Sequence, residues 1–274
     1  MKPICVTCGT QFAEASAFPQ NCLICEDERQ YVGLNGQEWT TLEQLRAGHH
    51  TVVRQEEPNL TSFTIQPSFG IGQRALLVQT EEGNLLWDCI GLFDEAALVY
   101  IRDSGGIRAL AISHPHYYTT MVEWSERFGN ISIYLQSEDS EWVMRPSGSI
   151  QFWSEETKSL FGGLTVIHCG GHFPGGAVLH WPSGAAGKGV LLTGDVIQVV
   201  PDRRSVSFMW SYPNYIPLGA PEVEAVVRAV EPFAFDRIYG AFSQMTVSTD
   251  GKQVIRRSAE RYLNRIHSAG KPAL

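Results

Sequence analysis

The chain has 274 residues, 43% of them hydrophobic, and carries 29 acidic against 21 basic side chains, a formal charge of −8. That apolar content suffices for one large domain with a small appendage. The acidic balance excludes a broad nucleic-acid-binding face, so nucleic acid is an unlikely partner, although a small local basic patch stays compatible with it. No apolar run reaches the roughly 18 residues that cross a bilayer, which excludes a spanning helix. The expected location is the cytoplasm, with no membrane partner.

Two C-x-x-C pairs come first: Cys5-Val6-Thr7-Cys8 and Cys22-Leu23-Ile24-Cys25, with thirteen residues between them. Two residues between cysteines let both sulfurs of one tight turn face a single ion, and a second such turn completes a tetrahedral thiolate site suited to Zn²⁺. Two disulfides or a thioredoxin-like redox pair are the competing readings. Met1-Lys2-Pro3 leaves no room for a secretory leader, which disfavours an oxidising compartment, and no strand and helix flank the pairs as a redox unit requires. Residues 1–35 are therefore expected to form a structural zinc knuckle that relies on its metal for folding energy, and residues 36–274 a second domain. Cys89 and Cys169 stand alone and are expected to be reduced thiols.

Beyond the knuckle, Thr40-Thr41-Leu42-Glu43 matches a capping box, and Leu42 and Leu45 follow at helical spacing, so residues 36–56 predict a short helix. Ser62-Phe63-Thr64-Ile65-Gln66 alternates, and Arg74–Val78 and Asn84–Cys89 are short apolar runs, all read as strands. A helix over residues 94–103 stops at Ser104-Gly105-Gly106, and a strand follows over Ile107–Ile112. After Ser113-His114-Pro115-His116, the apolar positions Met121, Trp124 and Phe128 keep helical spacing. Strands are predicted at 131–135, 149–152, 164–168, 177–181, 189–193 and 237–239, with helices at 221–230 and 252–267. Ser183–Gly189 lacks the spacing of a phosphate loop and predicts a hairpin connection. This order suggests two mixed halves, an α+β arrangement, more than a strictly alternating parallel fold.

The histidines gather at strand ends. His114 and His116 flank Pro115 at one, His168 and His172 flank Cys169-Gly170-Gly171 at another, and Asp195 closes Leu191-Leu192-Thr193-Gly194-Asp195. An H-x-H pair can place two imidazoles on one ion, and a third histidine and a carboxylate complete a shell suited to hydrolysis.

On these pieces residues 60–243 resemble the metallo-β-lactamase superfamily. Ser113-His114-Pro115-His116 is similar to its H-x-H-x-D-H motif, Gly171-His172-Phe173-Pro174-Gly175 to its G-H-T-x-G motif, and Thr193-Gly194-Asp195 to its G-D motif; Leu86-Trp87-Asp88-Cys89 resembles the early strand that ends in Asp. The resemblance implies a four-layer αβ/βα sandwich, with His114, His116 and His172 as metal ligands and Asp195 bridging or completing the shell. His168 falls outside the matching position and reads as structural. The chain departs from the family pattern where Tyr118-Thr119 stand in place of D-H and where no histidine occurs near Tyr239-Gly240-Ala241-Phe242. One ion, zinc or iron, is therefore expected at the histidine site.

These residues predict a hydrolase in which one ion activates water against the carbonyl of an ester, thioester or lactone. Asp195 handles the water's proton, and Tyr117 or Tyr118 donates to the developing oxyanion; packing is the competing role for both tyrosines. Phe208-Met209-Trp210-Ser211-Tyr212-Pro213-Asn214-Tyr215 either covers an apolar cleft, packs on the body or serves a homodimer contact. Two other readings stay open: a mononuclear iron enzyme with an oxygen-dependent reaction, and a non-enzymatic metal-binding interaction protein.

Overall fold

In the computed structural model, which describes residues 1–268, the chain divides after Ser154 into two units, each with its own sheet and helices. No helix among the described residues is long and apolar enough to cross a membrane.

The first unit opens with β1 (Ile4–Cys5), the single turn α1 (Leu23–Glu26) and β2 (Trp39–Thr40), which pairs antiparallel with β1. The helix α2 (Leu42–Gly48) is capped one residue later than the predicted box: the Thr41 hydroxyl accepts from the Gln44 N–H, and the Gln44 side chain accepts from the Thr41 N–H. Both frames satisfy the Thr-x-x-Glu/Gln pattern. The later one forms, and Leu45 is buried within the helix. The helix also ends early, and His50–Glu57 form a strand, β3, that the sequence reading passed over. Its polar composition suits the edge of a sheet, where only one neighbour supplies pairing.

β3 begins a seven-stranded sheet with β4 (Leu60–Gln66), β5 (Ala75–Thr80), β6 (Gly83–Trp87), β7 (Ala109–Ala111), β8 (Ser132–Gln136) and β9 (Ile150–Trp153), in that spatial order. β3 to β6 are antiparallel neighbours; β6 to β9 pair in parallel. Parallel pairing needs long connections, and α3 (Glu95–Asp103) and α4 (Met121–Arg127) lie in them. Asp94 caps α3 through the Ala97 N–H. Trp124 on α4 meets Phe93 and Phe63 at centroid distances of 4.8 and 6.5 Å. Each aromatic of this kind contributes about 1.5–3 kcal/mol by leaving water.

The second unit carries a six-stranded sheet in the order β10 (Thr157–Ser159), β11 (Thr165–His168), β12 (Ala177–Trp181), β13 (Val190–Gly194), β18 (Arg237–Gly240) and β19 (Thr246–Val247). Only β13 and β18 are parallel. The turn α5 (Gly184–Gly187) joins antiparallel β12 and β13, so residues 183–189 form the hairpin connection the sequence predicts. Two small ribbons, β14 (Gln198–Val199) with β15 (Val206–Ser207) and β16 (Met209–Ser211) with β17 (Ile216–Pro217), follow β13. α6 (Ala220–Val230) and α7 (Gly251–Ser268) bury Val223, Val226, Val254 and Ile255 in one core with Ile167, Leu191 and Ile238.

Candidate metal centres and the family of the chain

Cys5, Cys8, Cys22 and Cys25 are buried, and their sulfurs lie within 4.8 Å of one another. Cys5 Sγ is 3.5 Å from Cys25 Sγ, and Cys8 Sγ is 3.7 Å from Cys22 Sγ. A tetrahedral ion with Zn–S bonds of about 2.3 Å sets its sulfurs roughly 3.8 Å apart, so the thiols are spaced as ligands. They are not disulfides: all six cysteines are free. Hydrogen bonds from Cys22, Cys25 and Cys8 hold the Cys5 thiol far below its usual range, whereas burial drives Cys8 upward. Gln37 Nε2 also donates to Cys5 Sγ, at 3.2 Å. Phe12, Trp39, Trp142 and Met144 pack against the cluster. The other two thiols, Cys89 and Cys169, are each pushed up to about 12 by burial, which leaves them protonated and unreactive at neutral pH.

His114 follows β7 by three residues, and Asp88 immediately follows β6. Because these strands are parallel, with Trp87 opposite Ala111, both segments leave the sheet at the same edge. Asp88 Oδ1 accepts the Ser113 N–H at 2.8 Å and its hydroxyl at 2.7 Å. Ser113 Oγ lies 2.9 Å from His114 Nδ1. The hydroxyl has one proton and gives it to Asp88, so it accepts from His114 Nδ1–H. That leaves the lone pair of the neutral ring on Nε2, the arrangement of a metal-ligating histidine held by an outer carboxylate. His116 sits in the 3₁₀ turn Pro115–Tyr117, buried, with its ring 5.2 Å from that of His114.

In the second unit, His172 lies in the loop after β11. Gly171 precedes it at φ +82, a conformation that favours glycine, and a Cβ there would come within 3.1 Å of Val226 Cγ2, which would have to give by a few tenths of an ångström. The His172 Nδ1–H is shared between the carbonyls of Trp210, at 2.9 Å, and Met209, at 3.1 Å, which again leaves the lone pair on Nε2. The aromatic segment thus packs on the body, with Phe208 buried, and its backbone orients a histidine. Asp195 follows β13 directly and is buried; its carbonyl accepts the Tyr212 hydroxyl at 2.9 Å. His168 gives Nε2–H to the Pro174 carbonyl at 2.8 Å, tying together the ends of the loop that carries His172.

His114 and His116 in the first unit, and His172 and Asp195 in the second, are all buried side chains with metal-ligating atoms. Tyr117 is buried with its ring 4.5 Å from that of His114. The Tyr118 hydroxyl donates to the Asp139 carbonyl at 3.4 Å, and burial, together with the Asp139 charge, raises its pKa well above the usual phenol value. Sequence reasoning missed three orienting groups: the Ser113 hydroxyl and the carbonyls of Met209 and Trp210. A serine beside an H-x-H pair could have signalled the first; backbone carbonyls leave no sequence signal.

No family model matches the chain. The uncharacterized protein YmaE of Bacillus subtilis (strain 168) is 49% identical over 267 residues, covering 97% of either chain. Among solved structures, the chain is similar to VMB-1, with a TM-score of 0.58 and 13% identity over 79% of this chain and 98% of that one. It is also similar to the metallo-β-lactamase FIM-1 from Pseudomonas aeruginosa in its mono-zinc form, with a TM-score of 0.55 and 16% identity over 78% of this chain and 96% of that one. The chain belongs to the family of YmaE, has the metallo-β-lactamase fold, and adds to it an N-terminal cluster of four cysteines at metal-binding distance.

Proposed function

We propose that this protein is a metal-dependent hydrolase of an ester, thioester or lactone. His114, His116, His172 and Asp195 hold a single catalytic ion, and Cys5, Cys8, Cys22 and Cys25 hold a structural zinc. The carrying observation is the state of the two oriented imidazoles. His114 and His172 each engage Nδ1–H with a protein acceptor and so offer Nε2 as a ligand. Three imidazoles and one carboxylate form a donor set suited to zinc or iron, whereas four thiolates close the cysteine site to solvent water.

When bound, an ion at the histidine site supplies Lewis acidity and lowers the pKa of a coordinated water. In this reading Asp195 would take and return the proton of the attacking water. Tyr117, edge-on to His114, is the nearer candidate for an oxyanion donor, because Tyr118 already gives its hydroxyl to Asp139. With Tyr118-Thr119 in place of the carboxylate and histidine of a second site, the residues present would hold a single ion. That favours acyl compounds whose oxygen or sulfur leaving groups depart without a strong proton donor. The free thiols suit a reducing compartment, the cytoplasm in this reading.

Elemental analysis of the purified protein and of Asp195→Asn, combined with a panel of esters, thioesters and lactones, tests this function. Two ions per chain and hydrolysis that falls about 10²- to 10⁴-fold in the variant are expected. A single ion per chain, or hydrolysis unchanged by Asp195→Asn, overturns it. Stoichiometric iron with oxygen consumption on a persulfide would replace hydrolysis by oxidation.

A further inference from the structure

We propose that the cysteine knuckle positions the His114–His116 segment, so that contacts from the knuckle set the metal affinity of the histidine site. This rests on the histidine site proposed above. The link runs through Gln11. Residues 4–11 fold back on themselves: Ile4 bridges Gln11, the Cys5 N–H donates to the Thr10 carbonyl at 3.0 Å, and the Gly9 N–H donates to the Cys5 carbonyl at 2.9 Å. Cys5 and Cys8, half of the thiolate cluster, therefore determine where Gln11 sits.

Gln11 makes three contacts outside the knuckle. Its N–H donates to the Thr119 carbonyl at 3.0 Å. Its Nε2 donates to Glu123 at 3.4 Å, and its Oε1 accepts from Arg145 Nη1. Arg145 also donates to Glu123 at 2.8 Å and to Glu126 at 2.7 Å, so one guanidinium joins the knuckle to the helix Met121–Arg127. The Ala13 N–H donates to the Met144 carbonyl at 3.0 Å, and Met144 packs on the cysteines.

Thr119 lies three residues beyond His116 in an unbroken run of turns: the Tyr118 N–H donates to the Pro115 carbonyl, and the Met121 N–H to the Tyr118 carbonyl. Its φ is +31, a conformation that a β-branched residue adopts only when its surroundings impose it. The knuckle supplies that constraint through Gln11, whose N–H holds the Thr119 carbonyl; Gly9 runs alongside, where an added Cβ would make ordinary contact, at 3.6 Å, with Thr119 Cγ2. Tyr118 and Thr119 also stand at two of the positions where the family pattern places ligands of a second metal site. Both are committed to protein contacts, Thr119 to the knuckle and Tyr118 to Asp139. The knuckle thus braces a turn that carries two metal ligands and has no second ion to hold it.

A cobalt titration of full-length protein, with zinc retained in the knuckle and the histidine site stripped by mild chelation, tests the brace. The parent should bind one Co²⁺ with ligand-field bands of a histidine–carboxylate site and without thiolate charge-transfer bands. Arg145→Gln and Gln11→Ala should keep the knuckle zinc yet bind Co²⁺ about tenfold more weakly, the size of effect that outer partners have on ligands. Arg145→Lys should recover part of the loss, and amide exchange over residues 114–120 should quicken in the two weakened variants. Parental Co²⁺ affinity and parental exchange in both variants, with knuckle zinc retained, overturn the brace while leaving the histidine site standing. A parent that binds no Co²⁺ overturns the histidine site, and the brace with it.

Discussion

Asp88 accepts both the N–H and the hydroxyl of Ser113, 25 residues further along the chain. Neither residue need touch metal, yet together they decide which nitrogen of His114 carries a proton. The pair exists because β6 and β7 run in parallel and in register, so their C-terminal ends emerge side by side.

Ser113→Ala removes this control. His114 Nδ1–H loses its acceptor, and the ring is released to adopt the other tautomer or rotate. Metal affinity at the histidine site should fall about 10- to 100-fold, with a stability loss of about 1–3 kcal/mol from the hydrogen bonds left unmade. Competition with a chromophoric chelator and urea unfolding measure the two effects. Unchanged metal affinity would show that Ser113 does not orient His114.

The knuckle should behave as a closed metal site. Cys22→Ser should abolish one bound zinc and unfold the first residues, since metal binding there supplies folding energy. Acidification should release the same ion, because protons compete with metal for the thiolates. Elemental analysis beside limited proteolysis reads both outcomes. Full zinc content in Cys22→Ser would contradict the four-cysteine assignment.

His180 should impose a pH dependence on stability. Burial lowers its pKa, and the hydrogen bond from its Nε2–H to the Ala234 carbonyl only partly opposes this. The unfolded chain then takes up a proton first. Its contribution is fully present above the unfolded value of about 6.5 and is lost as pH falls through that value toward the lower folded one. Unfolding free energies collected from pH 8 down to pH 5 should decline less in His180→Gln than in the parent. Parallel curves would remove His180 as the cause.

Arg74 and Glu56 form an ion pair at 3.2 Å, with side chains 0% and 6% exposed, and Ser62 Oγ donates to the same carboxylate oxygen at 2.7 Å. Arg74→Met leaves that carboxylate buried without its cation. Stability should drop by about 3–5 kcal/mol, visible as a lower urea midpoint. A change below about 1 kcal/mol would mean that water reaches Glu56 in the parent.

The candidate metal ligands were legible in the sequence because each motif is local. A C-x-x-C turn or an H-x-H pair places two ligands within a few residues, and residue type states the donor. Strand positions were legible where apolar runs meet a buried sheet, as in Ala75–Thr80 and Val190–Gly194. β3 escaped because an edge strand needs little apolar content, and the cap of α2 was read one residue early because Thr40 and Thr41 fit the same pattern.

By itself, then, the sequence determined which side chains can hold metal and that the cysteine and histidine sites differ in kind. Tertiary structure alone decided how those ligands are oriented. The Asp88 carboxylate, the carbonyls of Met209 and Trp210 and the N–H of Gln11 reach their partners across strand pairings and loop returns that bring distant residues together. Backbone groups are alike at every position, so only the fold can select which of them meets an imidazole or a strained turn.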